Sequence, residues 1–137
     1  MEQLVIDANV LVSSFIESET RHLEALAYIV GLERGDFLSH LPSIVLLEVV
    51  AAISRRGLRN RLALLARAKK SIADWEQSGK MIVYDLDWER AERAIDAAER
   101  FRLRGSDAVI AALAEELDLT LKTFDREILE RFHRASV

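Results

Sequence analysis

Short apolar segments alternate with longer helical patterns along this chain, and this alternation constrains the fold more than any other feature. The segments QLVIDA, KMIVYDL and LTLKTF have the apolar character of buried strands, and FLSH is a further candidate strand. Helical patterns occupy roughly 9–17, 20–33 and 58–78. Strands that are separated by helices favour a parallel α/β sheet with helices on both faces.

Cap and breaker residues help to place the remaining helices. LPSIVLLEVVAAISRR begins a helix with Pro42 or Ser43 in its first turn, and Gly57 marks its end. Asp87 is expected to cap WERAERAIDAAERF, Ser106 to cap DAVIAALAEEL, and DREILERF to form the last helix. Five glycines and one proline leave little room for long loops or linkers, so we expect a single domain over residues 1–137.

Acidic residues stand at the places where a parallel sheet binds its ligands, outside the carboxyl ends of the strands. Asp7 directly follows LVI, and Asp125 directly follows LTLKTF. Asp107 lies in the first turn of a predicted helix, after RLRGS. Each has a structural alternative, since Asp107 and Asp125 can cap helices and Asp7 can begin a turn.

A further acid, Glu48, interrupts the apolar run IVLLEVVAAI, which is apolar enough to be buried on most of its circumference. Burial of a lone carboxylate is costly, so Glu48 must point out of the core, pair with an arginine or face a cation. Its neighbours one turn away, among them Ile44, Val45, Ala51 and Ala52, are all apolar. We therefore expect its partner to come from elsewhere in the fold.

Convergence of these four acids would predict a site for a hard divalent cation. Carboxylates that share a site raise one another's pKa values and destabilise it unless a cation compensates them. Mg²⁺ and Mn²⁺ prefer oxygen ligands, and such ions promote the attack of water on phosphodiesters.

Basic residues are concentrated in residues 55–70, although the net charge of the chain is −4. This basic band has seven basic residues and no acid: Arg55, Arg56, Arg59, Arg61, Arg67, Lys69 and Lys70. The band is compatible with a polyanionic partner, or alternatively with a solvated helical face.

Composition excludes several other classes of protein. The absence of cysteine excludes disulfides, zinc–thiolate sites and thiol nucleophiles. No apolar run has the roughly 18 residues of a membrane helix, and the N-terminus has no signal-peptide pattern, so we expect a cytoplasmic protein without membrane contact.

Four pieces of the sequence, in order, resemble a PIN domain, and in particular the VapC-like ribonucleases of toxin–antitoxin pairs. They are VIDANVLVS, LPSIVLLEVVAAISRR, RGSDAVIAALAEELDLTL and KTFDRE. The resemblance implies a PIN-like fold, with a parallel sheet of four or five strands. By position, Asp7, Glu48, Asp107 and Asp125 match the family's acidic quartet, and Asn9 and Thr123 match the polar residues that support it.

The resemblance also implies an activity and partners. It implies Mg²⁺ or Mn²⁺ as cofactor, cleavage of RNA phosphodiester bonds, homodimers and an antitoxin protein. Arg55, Arg56 and Arg59 are then candidate RNA contacts. A PIN-fold RNA-binding or assembly module without turnover is the alternative. A phosphoacceptor receiver also gathers acids around Mg²⁺, but Lys122 lies inside the last strand pattern instead of after it.

Overall fold

The computed structural model describes residues 1–137 without a gap, as an α/β fold around one five-stranded sheet. All neighbouring strands are parallel. The strands are β1 Glu2–Ile6, β2 Phe37–Pro42, β3 Met81–Tyr84, β4 Thr120–Lys122 and β5 Ala135–Ser136. The helices are α1 Ala8–Phe15, α2 His22–Arg34, α3 Ser43–Arg55, α4 Arg61–Gln77, α5 Trp88–Phe101, α6 Gly105–Leu117 and α7 Arg126–Arg131. None of the helices has both the length and the hydropathy of a membrane-spanning segment.

The strand order β3-β2-β1-β4-β5 places β1 in the middle of the sheet. From β1 the chain moves outward through β2 to β3, and it then returns to the other side of β1 to form β4. The switch point of the topology therefore lies between the carboxyl ends of β1 and β4. The Asp7 amide donates to the Lys122 carbonyl at 2.9 Å, so the ladder between these strands continues to the residue that follows β1.

Helices cover both faces of the sheet. On one side α1 packs against both α2 and α3, and α3 packs against α4; α2, α3 and α4 also contact β2 or β3. On the other side α6 packs on β1, β2 and β4, with α5 outside it. Small side chains such as Ala108, Ala111 and Ala114 are buried on α6, which lets the helix approach the sheet closely. The α/β architecture that the alternating pattern predicts is confirmed.

Several of the predicted boundaries agree with the structure. Asp87 caps α5 by accepting a hydrogen bond from the Arg90 amide at 2.8 Å. Gly57 follows α3 with a positive φ of 64°, a conformation that glycine adopts without steric cost. The short strand β5, which the sequence pattern does not predict, pairs with β4 at the sheet edge.

Two of the expectations are wrong. Ser106 does not cap α6, because the helix begins at Gly105, two residues before the start that a Ser106 cap implies, and follows Arg104 in an extended conformation. The run IVLLEVVAAI is also not buried on most of its circumference. Only a stripe that includes Val45 and Val49 is fully buried, whereas Leu47 is 68% exposed. Apolar character alone does not show which face of a helix meets the core.

Candidate functional site

The four acids predicted from the sequence line one pocket of about 520 Å³ beside the carboxyl ends of β1 and β4. Asp7 follows β1, Asp125 follows β4, Asp107 lies in the first turn of α6, and Glu48 lies on α3. These four elements are distant in sequence, and the parallel sheet brings their ends together. The topological rule that predicts a ligand site at this edge therefore agrees with the placement of all four side chains.

Asp7 is buried at the bottom of the pocket, with hydrogen bonds to both carboxylate oxygens. Its Oδ1 accepts from the Ala8 amide at 2.7 Å, and its Oδ2 accepts from the Thr123 hydroxyl at 2.7 Å. Burial nevertheless raises the pKa of Asp7 to about 6, and the charges of Asp107 and Asp125 add to this effect. The two hydrogen bonds act in the opposite direction but do not compensate the desolvation.

Asn9 and Thr123 tie the residues after β1 to those after β4. Besides its bond to Asp7, the Thr123 hydroxyl oxygen accepts from the Asp125 amide at 3.0 Å and from Asn9 Nδ2 at 3.4 Å. Asn9 Oδ1 in turn accepts from the Phe124 amide at 3.1 Å. These two polar side chains therefore fix the relative positions of Asp7 and Asp125 from both sides.

Glu48 is half-buried and takes part in none of the ion pairs of the chain. Burial is the largest cause that raises its pKa, followed by the charges of Asp7 and Asp107. Ser106, which lies beside the carboxylate, acts in the opposite direction and lowers that pKa. Glu48 could point out of the core, pair with an arginine or face a cation, and pairing with an arginine of this chain is thus excluded.

Asp107 and Asp125 differ in their local roles. Asp125 caps α7, since its Oδ1 accepts from the Ile128 amide at 3.0 Å, and Asp7 likewise caps α1. Asp107 makes no such cap, and burial followed by the charge of Asp125 raises its pKa. Capping explains part of the placement of Asp7 and Asp125, but it does not explain why the four acids share a pocket.

The donor set suits a hard divalent cation. All four acids offer carboxylate oxygens, and three of them have pKa values raised by burial and by mutual repulsion, which a cation would relieve. No three acidic or histidine side chains are arranged as a ready-made metal cluster. The fit to such an ion thus rests on the carboxylate donors and on their uncompensated charge.

Three arginines also line this pocket, and the sequence patterns identify only one of them. Arg56 belongs to the basic band, whereas Arg21 and Arg104 lie in segments without a periodic or compositional signal. Arg55 and Arg59 are exposed and lie outside the pocket. Ser106, which local rules assign to a helix cap, instead lines the pocket beside Asp107.

Solved structures with the same fold come from several organisms, and they include a chain of a toxin–antitoxin complex and a toxin. A chain of a toxin–antitoxin complex from Klebsiella pneumoniae aligns with a TM-score of 0.71 and 17% identity, covering 98% of this chain and 96% of that one. VapC20 of Mycobacterium tuberculosis, a toxin that cleaves the sarcin–ricin loop, aligns with a TM-score of 0.71 and 16% identity, covering 96% and 97%. PAE2754 of Pyrobaculum aerophilum aligns with a TM-score of 0.73 and 20% identity, covering 98% and 82%.

Comparison of the sequence with protein-family models identifies the family of this chain. No curated protein sequence matches this chain. The PIN domain model, however, matches residues 4–135, a segment that contains most of β1, all of β2 to β4 and every acid of the pocket. The chain therefore belongs to the PIN domain family.

Proposed function

We propose that residues 1–137 act as one domain, a Mg²⁺- or Mn²⁺-dependent endoribonuclease that is the toxin of a VapBC-type pair. The observation that carries the proposal is the single pocket at the switch point of the sheet, where four carboxylates from four elements meet. Membership of the PIN domain family and a fold shared with toxin chains support it. The protein would act in the cytoplasm and would hydrolyse the phosphodiester bonds of RNA.

Asp7, Glu48 and Asp107 would hold the metal ion, and Asp125 would complete the site or orient the attacking water. A bound divalent ion would supply Lewis-acid polarisation of the phosphate and help to activate water. Asn9 and Thr123 keep Asp7 and Asp125 in register through the hydrogen bonds described above. Asp7 is itself buried, and electrostatic interactions with a buried carboxylate are stronger than those with a solvated one.

The partners follow from the charge and the surface. Arg55, Arg56 and Arg59 would contact RNA phosphates, because no acid in the band neutralises them and two of the three make no ion pair. We further propose a homodimer and an antitoxin that covers the pocket. Exposed apolar side chains such as Leu47 and Leu62 offer surface for protein contacts.

Cleavage of single-stranded or looped RNA by the purified protein tests this function. We expect cutting with Mg²⁺ or Mn²⁺ and none with EDTA. Asp7→Asn or Asp107→Asn should each lower the rate by about a hundredfold or more while the protein stays folded, since each removes a charged ligand. Asp36→Asn, at an exposed acid outside the pocket, is the matched control and should cut normally.

Near-normal cleavage by Asp7→Asn or Asp107→Asn, after metal removal and reloading, would overturn the assignment. RNA binding without any cleavage by the wild type would instead favour a PIN-fold binding or assembly module.

A further inference from the structure

An ion pair between Glu19 and Arg56 closes one side of the acidic pocket. Arg56 follows the last residue of α3, and Glu19 lies in the turn between α1 and α2. Arg56 Nη2 and Glu19 Oε1 are 2.5 Å apart, and both residues line the pocket with the four acids. Glu19 is thus a fifth carboxylate in the pocket, and it is held there by an arginine.

The other two arginines of the pocket have different partners. Arg21 pairs with Glu24 at 3.3 Å, and Arg104 pairs with Glu127 at 3.7 Å. Neither of those glutamates lines the pocket. Among the three arginines, only Arg56 has an acidic partner inside the space that a substrate would enter.

The contact is close but is not a well-formed hydrogen bond. Glu19 Oε1 is fully buried and has no donor with hydrogen-bond geometry, although the guanidinium lies at 2.5 Å. Attraction between opposite charges therefore holds the pair, and the fork of guanidinium donors is not used in a bidentate arrangement. A phosphodiester presents two oxygens that match this fork, so it can replace a single misaligned carboxylate oxygen.

The surroundings of the pair make such an exchange feasible. The Glu19 side chain is 21% exposed, and Ser18 and Thr20 on either side of it are exposed, so the pair lies at the surface and not within the core. Arg55 and Arg59 lie near Arg56 in the chain, are exposed and make no ion pair. An RNA strand that leaves the pocket at Arg56 would therefore lie close to the positive charges of Arg55 and Arg59.

We propose that Arg56 binds a backbone phosphate of the RNA strand in the pocket, and that Glu19 occupies the place of this phosphate in the free protein. The inference rests on the proposed ribonuclease function and deepens it. Arg56 is a substrate-binding residue, and Glu19 is an internal competitor of the substrate. Removal of the Glu19 charge should therefore strengthen RNA binding, whereas removal of the Arg56 charge should weaken it.

Fluorescence anisotropy with a fluorescein-labelled oligouridylate tests this, with every variant also carrying Asp107→Asn so that the strand stays intact. Arg56→Gln should raise Kd about tenfold, and Glu19→Gln should lower it about threefold. When Arg56→Gln is already present, adding Glu19→Gln should not improve the affinity for RNA, because the effect of Glu19→Gln depends on Arg56. In cleavage assays of the otherwise wild-type protein, Arg56→Gln should raise KM with little change in kcat.

Arg100 and Glu115 provide the matched control, since their ion pair also measures 2.5 Å but lies between α5 and α6, outside the pocket. Glu115→Gln changes the net charge by the same amount and should leave Kd nearly unchanged.

Three results would overturn the inference. The first is weaker or unchanged binding by Glu19→Gln, and the second is an equal gain from Glu19→Gln when Arg56 is absent. The third is an equal gain from Glu115→Gln, which would show a general charge effect. If the wild type cuts RNA, these results leave the ribonuclease function intact, whereas a wild type that neither binds nor cuts RNA contradicts both proposals.

Discussion

The Thr123 hydroxyl donates a 2.7 Å hydrogen bond to Oδ2 of Asp7, and so joins two residues that are 116 positions apart in the sequence. Thr123 is fully buried, and its hydroxyl oxygen also accepts from the Asp125 amide. One side chain thus contacts the acid after β1 and the backbone of the acid after β4. The geometry of the pocket depends on this contact between the ends of neighbouring strands.

Thr123→Val should destabilise the protein by about 1–3 kcal/mol, because it leaves buried polar groups without their partner while conserving shape. The pKa of Asp7 should rise further, since the Thr123 hydrogen bond lowers it. Urea denaturation measures the first effect. Thr123→Ser retains the hydroxyl and is the control. Equal stability of the valine and serine variants would show that the hydroxyl contributes little.

The pKa of Asp7 predicts a pH dependence of stability in EDTA. The folded-state value of about 6 lies above the ordinary 3.8, so the folded state holds more protons within this interval. The free energy of unfolding should therefore fall by roughly 3 kcal/mol as the pH rises from below 4 to above 6. Asp7→Asn should lose this contribution, because it cannot ionise. Urea denaturation of the wild type and of Asp7→Asn at several pH values in this range measures the free energy of unfolding of each. Identical pH profiles of the two proteins would contradict the prediction.

Glu48→Gln should raise the melting temperature in EDTA at neutral pH. The pKa of Glu48 is raised, so its ionised form is unfavourable above the unfolded value, and glutamine removes the charge without changing the shape. Mg²⁺ should stabilise the wild type by mass action and the variant much less. Thermal melts with EDTA and with Mg²⁺ test both statements. A variant that melts lower in EDTA would indicate a stabilising partner of Glu48 and would count against a metal-ligand role.

Glu116→Gln should destabilise the fold without affecting the pocket. Arg93 and Arg90 both bind the Glu116 carboxylate, and the Arg90 guanidinium also lies over the Tyr84 ring. Because Glu116 is largely shielded from solvent, we expect a loss of about 1–2 kcal/mol. Glu99→Gln, at an exposed and unpaired acid on α5, is the control. Loss of RNA cleavage in a folded Glu116→Gln protein would mean that this surface serves the reaction.

Local patterns in the sequence determined the helices, four of the five strands and several boundaries. The cap at Asp87 and the helix end near Gly57 depend on the residues nearest to them, and the structure agrees with both. The acids after the strands were identified for the same reason, since a strand end is a local feature. The two-residue strand β5 was missed, because a segment this short has no periodicity of its own.

Only the tertiary structure decided which of these residues meet. The strand order places β4 beside β1, and no periodic pattern encodes that choice, because it depends on how the helices pack on both faces of the sheet. The same packing turns Glu48 toward the pocket, leaves Leu47 exposed and joins Glu19 to Arg56. Local propensity acts over a few residues, whereas these contacts join distant segments through burial of a shared core. Local sequence patterns could therefore identify the acids, but only tertiary packing brought them into one pocket.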